Sequence, residues 1–159
     1  ITGIDKDDKD ALIAELPEGV TTVIHRGVNS LIACVGKGKC KNGQMETAEL
    51  ADYIERKHYG RKTSHKCKIG ISGCGRNCPD SMVKDIAFIG TSQGFMLAVG
   101  GNTGMRPEAG KILMRKLSVE QAKKAADILI DWYAENGEPK ERMGKLLERL
   151  GNPLENKTL

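Results

Sequence analysis

The chain has 159 residues, of which 39% are hydrophobic and 29% charged, with a formal net charge of +4. This composition suits one globular domain, and no apolar run approaches the length of a bilayer span, so a membrane role is not expected. One Trp, three Tyr and two Phe are too few aromatic residues for a base-stacking platform, so nucleic acid is not an expected partner either.

Residues 7–16 (DDKDALIAEL) predict a short helix with acidic residues in its first turn, stopped by Pro17 and Gly19. Residues 20–24 and 28–35 are rich in β-branched and apolar residues and predict strands, the second running into Cys34. Residues 36–43 (GKGKCKNG) predict a glycine loop holding Cys40. Residues 45–58 place Ala48, Ala51, Ile54 and His58 on one face, with Leu50 and Tyr53 beside it, as in an amphipathic helix. Residues 66–72 (KCKIGIS) alternate and predict a strand leading to Cys74.

Residues 85–90 and 95–100 predict two strands joined by a hairpin-like link at 91–94. The glycine-rich stretch 100–110 predicts a loop, and 111–117 a last strand. Ser118 and Gln121 form a capping box for a helix whose buried face is Val119, Ala122, Ala125, Ala126, Leu129, Ile130 and Tyr133, with Gly137 at its end. Pro139 suits the first turn of a final helix that turns Met143, Leu146, Leu147 and Leu150 inward. The order predicts an α+β fold: a mixed sheet with flanking helices.

Charge is uneven. Residues 56–68 carry Arg56, Lys57, Arg61, Lys62, Lys66 and Lys68, with His58 and His65 and no acid. A cationic block leading into a cysteine pair points to an anionic ligand; its plainer reading is a solvated lysine-rich loop.

Four of the five cysteines form two pairs, Cys34 with Cys40 (C-x5-C) and Cys74 with Cys78 (C-x3-C). Four thiolates are what one iron–sulfur cubane takes. An odd cysteine count in a chain long enough to bury a core argues against a disulfide framework. Structural zinc stays open, although its pairs are more often C-x2-C; so do buried inert thiols. Five cysteines in a lysine-rich chain fit the reducing cytoplasm.

The stretches SLIACVGKGKC and KCKIGISGCGRNCPDSMVKDIAFIG, followed by the glycine-rich loop and two closing helices, resemble the siroheme and 4Fe–4S domain of nitrite and sulfite reductases over roughly residues 28–151. The resemblance implies that Cys34, Cys40, Cys74 and Cys78 bind one 4Fe–4S cluster, with Cys78 bridging to siroheme, and that Cys67 packs in the core. It implies six-electron reduction of sulfite to sulfide or nitrite to ammonia, with a small inorganic oxyanion as substrate and an electron-donor protein as partner.

Lys66 and Lys68 resemble the family's Lys-x-Lys strand and are the candidate catalytic cations, with His65 a candidate proton donor. Arg76, Asn77, Arg61 and Gly101 are candidate siroheme contacts, and Arg106 a weaker one. Two features depart from the family. Gly75-Arg76-Asn77 stands where Pro-Asn usually follows the third cysteine, and residues 1–27 resemble only the tail of an upstream ferredoxin-like segment, leaving 28–159 as the cluster domain. A second expectation is therefore a non-catalytic 4Fe–4S electron-transfer or cofactor-binding module without siroheme.

Overall fold

The structure, a computed structural model, describes residues 5, 7–16, 27–155, 157 and 159. The expected strand at 20–24 lies outside the described residues, as does most of the expected upstream tail. A short helix α1 (Lys9–Ala14) is followed by β1 (Gly27–Ala33), α2 (Ala48–His58), β2 (Lys66–Ser72), a 3₁₀ turn (Ser81–Val83), β3 (Ile86–Thr91), β4 (Gly94–Val99), β5 (Lys111–Leu117), α3 (Val119–Asn136) and α4 (Met143–Leu150).

The strands form one sheet in the order β1-β2-β3-β4-β5. The first three are parallel and the last two antiparallel, so the sheet is mixed. Parallel neighbours need a crossover of a dozen or so residues, usually a helix. The β1–β2 crossover contains α2. The β2–β3 crossover, residues 73–85, holds only the second cysteine loop and the 3₁₀ turn.

Alternation along the strands separates two faces. Cys67, Ile69, Ile71, Ile86, Phe88, Phe95, Leu97 and Val99 join the buried faces of α2, α3 and α4 in the main core. Ala87, Ile89 and Ala98 make a smaller cluster on the other face, with Met82 of the 3₁₀ turn and Met96. Ile32 and Ile112 remain exposed.

Three expectations shift. The buried face of α2 is Leu50, Ile54 and His58, whereas Ala48 is exposed. The helix starts at Ala48 because the Glu46 carboxylate accepts the Ala48 and Glu49 N–H groups, while Thr47 Oγ1 donates to the Cys34 carbonyl. The final helix starts at Met143, not near Pro139: residues 138–141 form a turn closed by Glu141 N–H to the Glu138 carbonyl, with Lys140 at φ +70°. Leu150 at its end is half exposed. The Ser118–Gln121 capping box forms as expected.

Candidate metal centre

β1 and β2 run parallel and side by side, so the loops after them leave the same sheet edge. Cys34 follows β1, and its N–H donates to the Ile71 carbonyl of β2 (3.0 Å). The loop of residues 36–43 is closed by Cys40 N–H to the Gly36 carbonyl (3.0 Å) and Gly43 N–H to the Cys40 carbonyl (2.9 Å). It is sewn to the second loop by Gln44 and Met45 N–H groups, both donating to the Gly73 carbonyl (2.8 and 2.9 Å).

Gly73 is glycine because the loops touch there. A Cβ at this position would fall 2.7 Å from Gly36 Cα and 3.0 Å from the Met45 carbonyl oxygen. Its N–H donates to Cys34 Sγ at 3.0 Å, the kind of contact that stabilises a thiolate.

Cys34, Cys40, Cys74 and Cys78 line one cavity of about 430 Å³, together with Gly43, Gly73 and Arg76. Cys74 is buried, Cys34 and Cys40 are half-buried, and Cys78 is exposed. Among the described residues, no three His, Cys, Asp or Glu side chains converge as the ligands of a single metal ion would. Four thiols set round one cavity, with a main-chain N–H already on one sulfur, fit a cluster in which each thiolate meets its own iron. Cys67 faces the other way. It is fully buried in the main core, and burial pushes its thiol well above the usual range.

The remaining candidates separate. Arg76 is exposed at the cavity mouth and also lines an adjoining hollow with Lys41 and Gln44. Asn77 sits at φ +53° with its side-chain oxygen accepting from Ser72 Oγ and Met82 N–H, so it shapes the loop from within. Gly101 packs against the backbone of residues 82–84; a Cβ would fall 2.4 Å from the Met82 carbonyl oxygen. Arg61 pairs with Asp131 of α3, on the helix-covered side, not beside the cysteines. His65 receives the Lys66 N–H on Nδ1 (2.9 Å), and Arg106 is exposed in the loop after β4.

Lys66 and Lys68 share the sheet face opposite the helices, the face over which Ser81 packs on Gly70. They stand at the start of β2, and Cys74 follows its end. Four strand residues at about 3.3 Å each put Ser72, the last residue of β2, roughly 13 Å from Lys68, and Cys74 lies two residues farther on in the loop. Neither lysine lines the thiol cavity. Burial holds the Lys68 ammonium below its ordinary pKa, reinforced by Lys66, Lys84 and Arg142.

The last two are cations that sequence reasoning missed. The signal for Lys84 was the Lys-Asp pair just before β3. Arg142 gave none, being far along the chain. Its Nε and Nη2 donate to Asp85 Oδ1 (3.1 and 2.6 Å), while Asp85 Oδ2 accepts the Lys68 N–H (2.9 Å).

Comparison with known proteins decides the lineage. The sequence profile of the "Nitrite and sulphite reductase 4Fe-4S domain" matches residues 25–153. The chain belongs to this family. The nitrite and sulfite reductase domain here is 30% identical over 151 residues to an assimilatory-type sulfite reductase of Nitratidesulfovibrio vulgaris, covering 95% of the chain and 69% of that protein. It is 31% identical to a nitrite reductase [NAD(P)H] of Bacillus subtilis over 95% of the chain but only 19% of that protein. Among solved structures, dissimilatory sulfite reductase I matches with a TM-score of 0.79 at 13% identity, over 96% of this chain and 58% of that one, a likeness of fold. No helix among the described residues is long and apolar enough to cross a membrane.

Proposed function

We propose that this domain is the cluster-bearing part of a siroheme-dependent sulfite or nitrite reductase. The observation that carries this reading is the meeting of four thiols from two loops in one cavity. Cys34, Cys40, Cys74 and Cys78 would hold one 4Fe–4S cluster, with the exposed Cys78 turned toward siroheme. When bound, the two groups supply the electron store and the iron centre for six-electron reduction of sulfite to sulfide or nitrite to ammonia.

The chain's own residues supply charge, protons and shape. Arg76, at the cavity mouth, offers a guanidinium to a carboxylate of the macrocycle. Lys66 and Lys68 present ammonium groups on the sheet face that the helices leave open, where they offset negative charge developing on a bound oxyanion. The lowered pKa of Lys68 eases release of its proton. Donor and substrate are an electron-carrying protein and a small inorganic oxyanion, in the reducing cytoplasm where thiols persist.

Anaerobically purified protein tests the reading. Cys→Ser at 34, 40, 74 or 78 should each lose iron, and Cys67→Ser should keep it. A red-region chlorin band marks siroheme; iron and sulfide without that band would leave the non-catalytic cluster module in its place. With siroheme present, Lys66→Ala together with Lys68→Ala should cut turnover steeply at unchanged iron content. Turnover that survives both changes would remove the lysines from the chemistry.

A further inference from the structure

Of the four cavity cysteines, Cys78 is the exposed one. The Gly73 N–H holds the Cys34 sulfur, but at an exposed position a sulfur takes its direction from the backbone that carries it. That backbone is a run of three turns. Asn77 N–H donates to the Cys74 carbonyl (3.2 Å), Asp80 N–H to the Asn77 carbonyl (2.8 Å) and Val83 N–H to the Asp80 carbonyl (3.2 Å). The residues where these turns meet, Asn77 and Asp80, are left-handed, at φ +53° and +52°. Residues other than glycine hold that conformation only where their surroundings enforce it, and Asn and Asp bear it best.

Cys78 sits in the middle turn. Pro79 after it steers Cys78 away from the helical region, which leaves residue 77 as the point where the sulfur can swing.

What holds residue 77 is buried. Its side-chain oxygen accepts from Ser72 Oγ (3.3 Å) and from Met82 N–H (3.4 Å). Ser72 Oγ lies 2.8 Å from Ser81 Oγ, and both serines are buried. Ser81 rests in turn on Gly70, where a Cβ would fall 2.7 Å from Ser81 Cα. Each contact to Asn77 is long and worth little alone, but out of water the members of such a network support one another. The network ties the last residue of β2 to the 3₁₀ turn, with Asn77 between them.

We propose that Asn77 is the positioning residue for Cys78: held left-handed by the Ser72–Ser81 hydroxyl pair, it fixes the direction of the Cys78 sulfur at the cavity. This rests on the cluster reading above, in which Cys78 is the ligand turned toward siroheme. A group one step behind a metal ligand orients that ligand, and its loss typically costs about 10–100-fold in metal affinity.

The test compares cluster-loaded proteins, purified anaerobically, by two readings. One is the electron paramagnetic resonance signal of the dithionite-reduced cluster; the other is the rate of iron release to a ferrous chelator. Asn77→Gly takes φ +53° without strain and removes only the side chain. Its signal should broaden, because Cys78 then samples several directions, and its iron should leave about tenfold faster or more. Asn77→Asp keeps an oxygen acceptor and tolerates the left-handed region, so it should restore the sharp signal. Ser72→Ala removes a donor from the end of β2 without touching the turns, and should broaden the signal in the same sense.

The control is Leu146→Ala, a cavity in the main core at a residue that does not line the thiol cavity. Its signal should stay sharp even if it unfolds more easily. A sharp signal from Asn77→Gly overturns the proposal, and so does an Asn77→Asp signal as broad as that of Asn77→Gly. Equal broadening in Leu146→Ala also overturns it, because the effect would then be one of general stability. If Asn77→Gly takes up no cluster, Ser72→Ala decides, and a sharp signal from it counts against the proposal. Failure of the cluster reading would look different: no reduced 4Fe–4S signal in the unsubstituted protein.

Discussion

Gly73 and Gly75 flank Cys74 and look equivalent in the sequence, but space divides them. A Cβ at Gly73 collides with Gly36 and Met45, while one at Gly75 meets nothing within 4 Å. Neither has the positive φ that would strain alanine, so the difference is steric. Gly73→Ala should cost about 1–3 kcal/mol in denaturant titration, typical of overpacking, and lower iron content by parting the loops. Gly75→Ala should change neither. Equal behaviour of the two variants would mean that the contact at Gly73 relaxes without cost.

The cysteines show how far the residue types could be read. Their intervals singled out the four that share the cavity and set Cys67 apart. Direction is harder to read: Arg61 and Asn77, both expected at siroheme, have side chains engaged within the fold, one on Asp131 and the other inside its own loop.

At the scale of elements, β2 depends on a carboxylate. Its pairing with β3 starts at Ile69 opposite Ile86, one residue too late to satisfy the Lys68 N–H from the strand ladder. Asp85 supplies that acceptor from its side chain and holds Arg142, which brings in the start of α4. Burial raises the Asp85 carboxyl above the usual range, against the pull of Arg142 and the Lys68 N–H.

Breaking such a pair from one side strands the other charge. Asp85→Ala should therefore cost about 3–5 kcal/mol in urea unfolding. Removing both partners, with Arg142→Met added, should cost less than the single change, because no charge is left uncompensated. A double variant at least as unstable as the single one would contradict this account.

Strand and helix positions were legible because period-2 and period-3.6 patterns are local; β5 falls at the predicted residues 111–117. The late start of α4 was not, because Arg142 reaches a partner 57 residues away.

On the scale of the whole molecule, the class of the sheet followed from element order, but the strand order needed the fold. Nothing local says that the β2–β3 crossover lacks an α-helix. That crossover has a consequence for how the chain acquires and loses its shape. Strands β3 to β5 are antiparallel neighbours joined in sequence, one link being the turn at 92–93, so their pairing closes over short spans.

The β1–β2 pairing, which sets Gly27 opposite Lys66, closes over a much longer span, and the two cysteine loops follow those two strands. Long closures cost more chain entropy and form late. Metal that joins two such loops lends its binding energy to their closure. Stripping the iron should thus fray one side of the molecule before the other. Hydrogen exchange should quicken in residues 27–45 and 66–80 while the β3–β5 amides keep their protection. Uniform loss of protection across the sheet would show instead that it opens as one unit. With protection lost first on the cysteine side, the domain is a ratchet in time as well as a scaffold in space, its later-formed half latched by the group it carries.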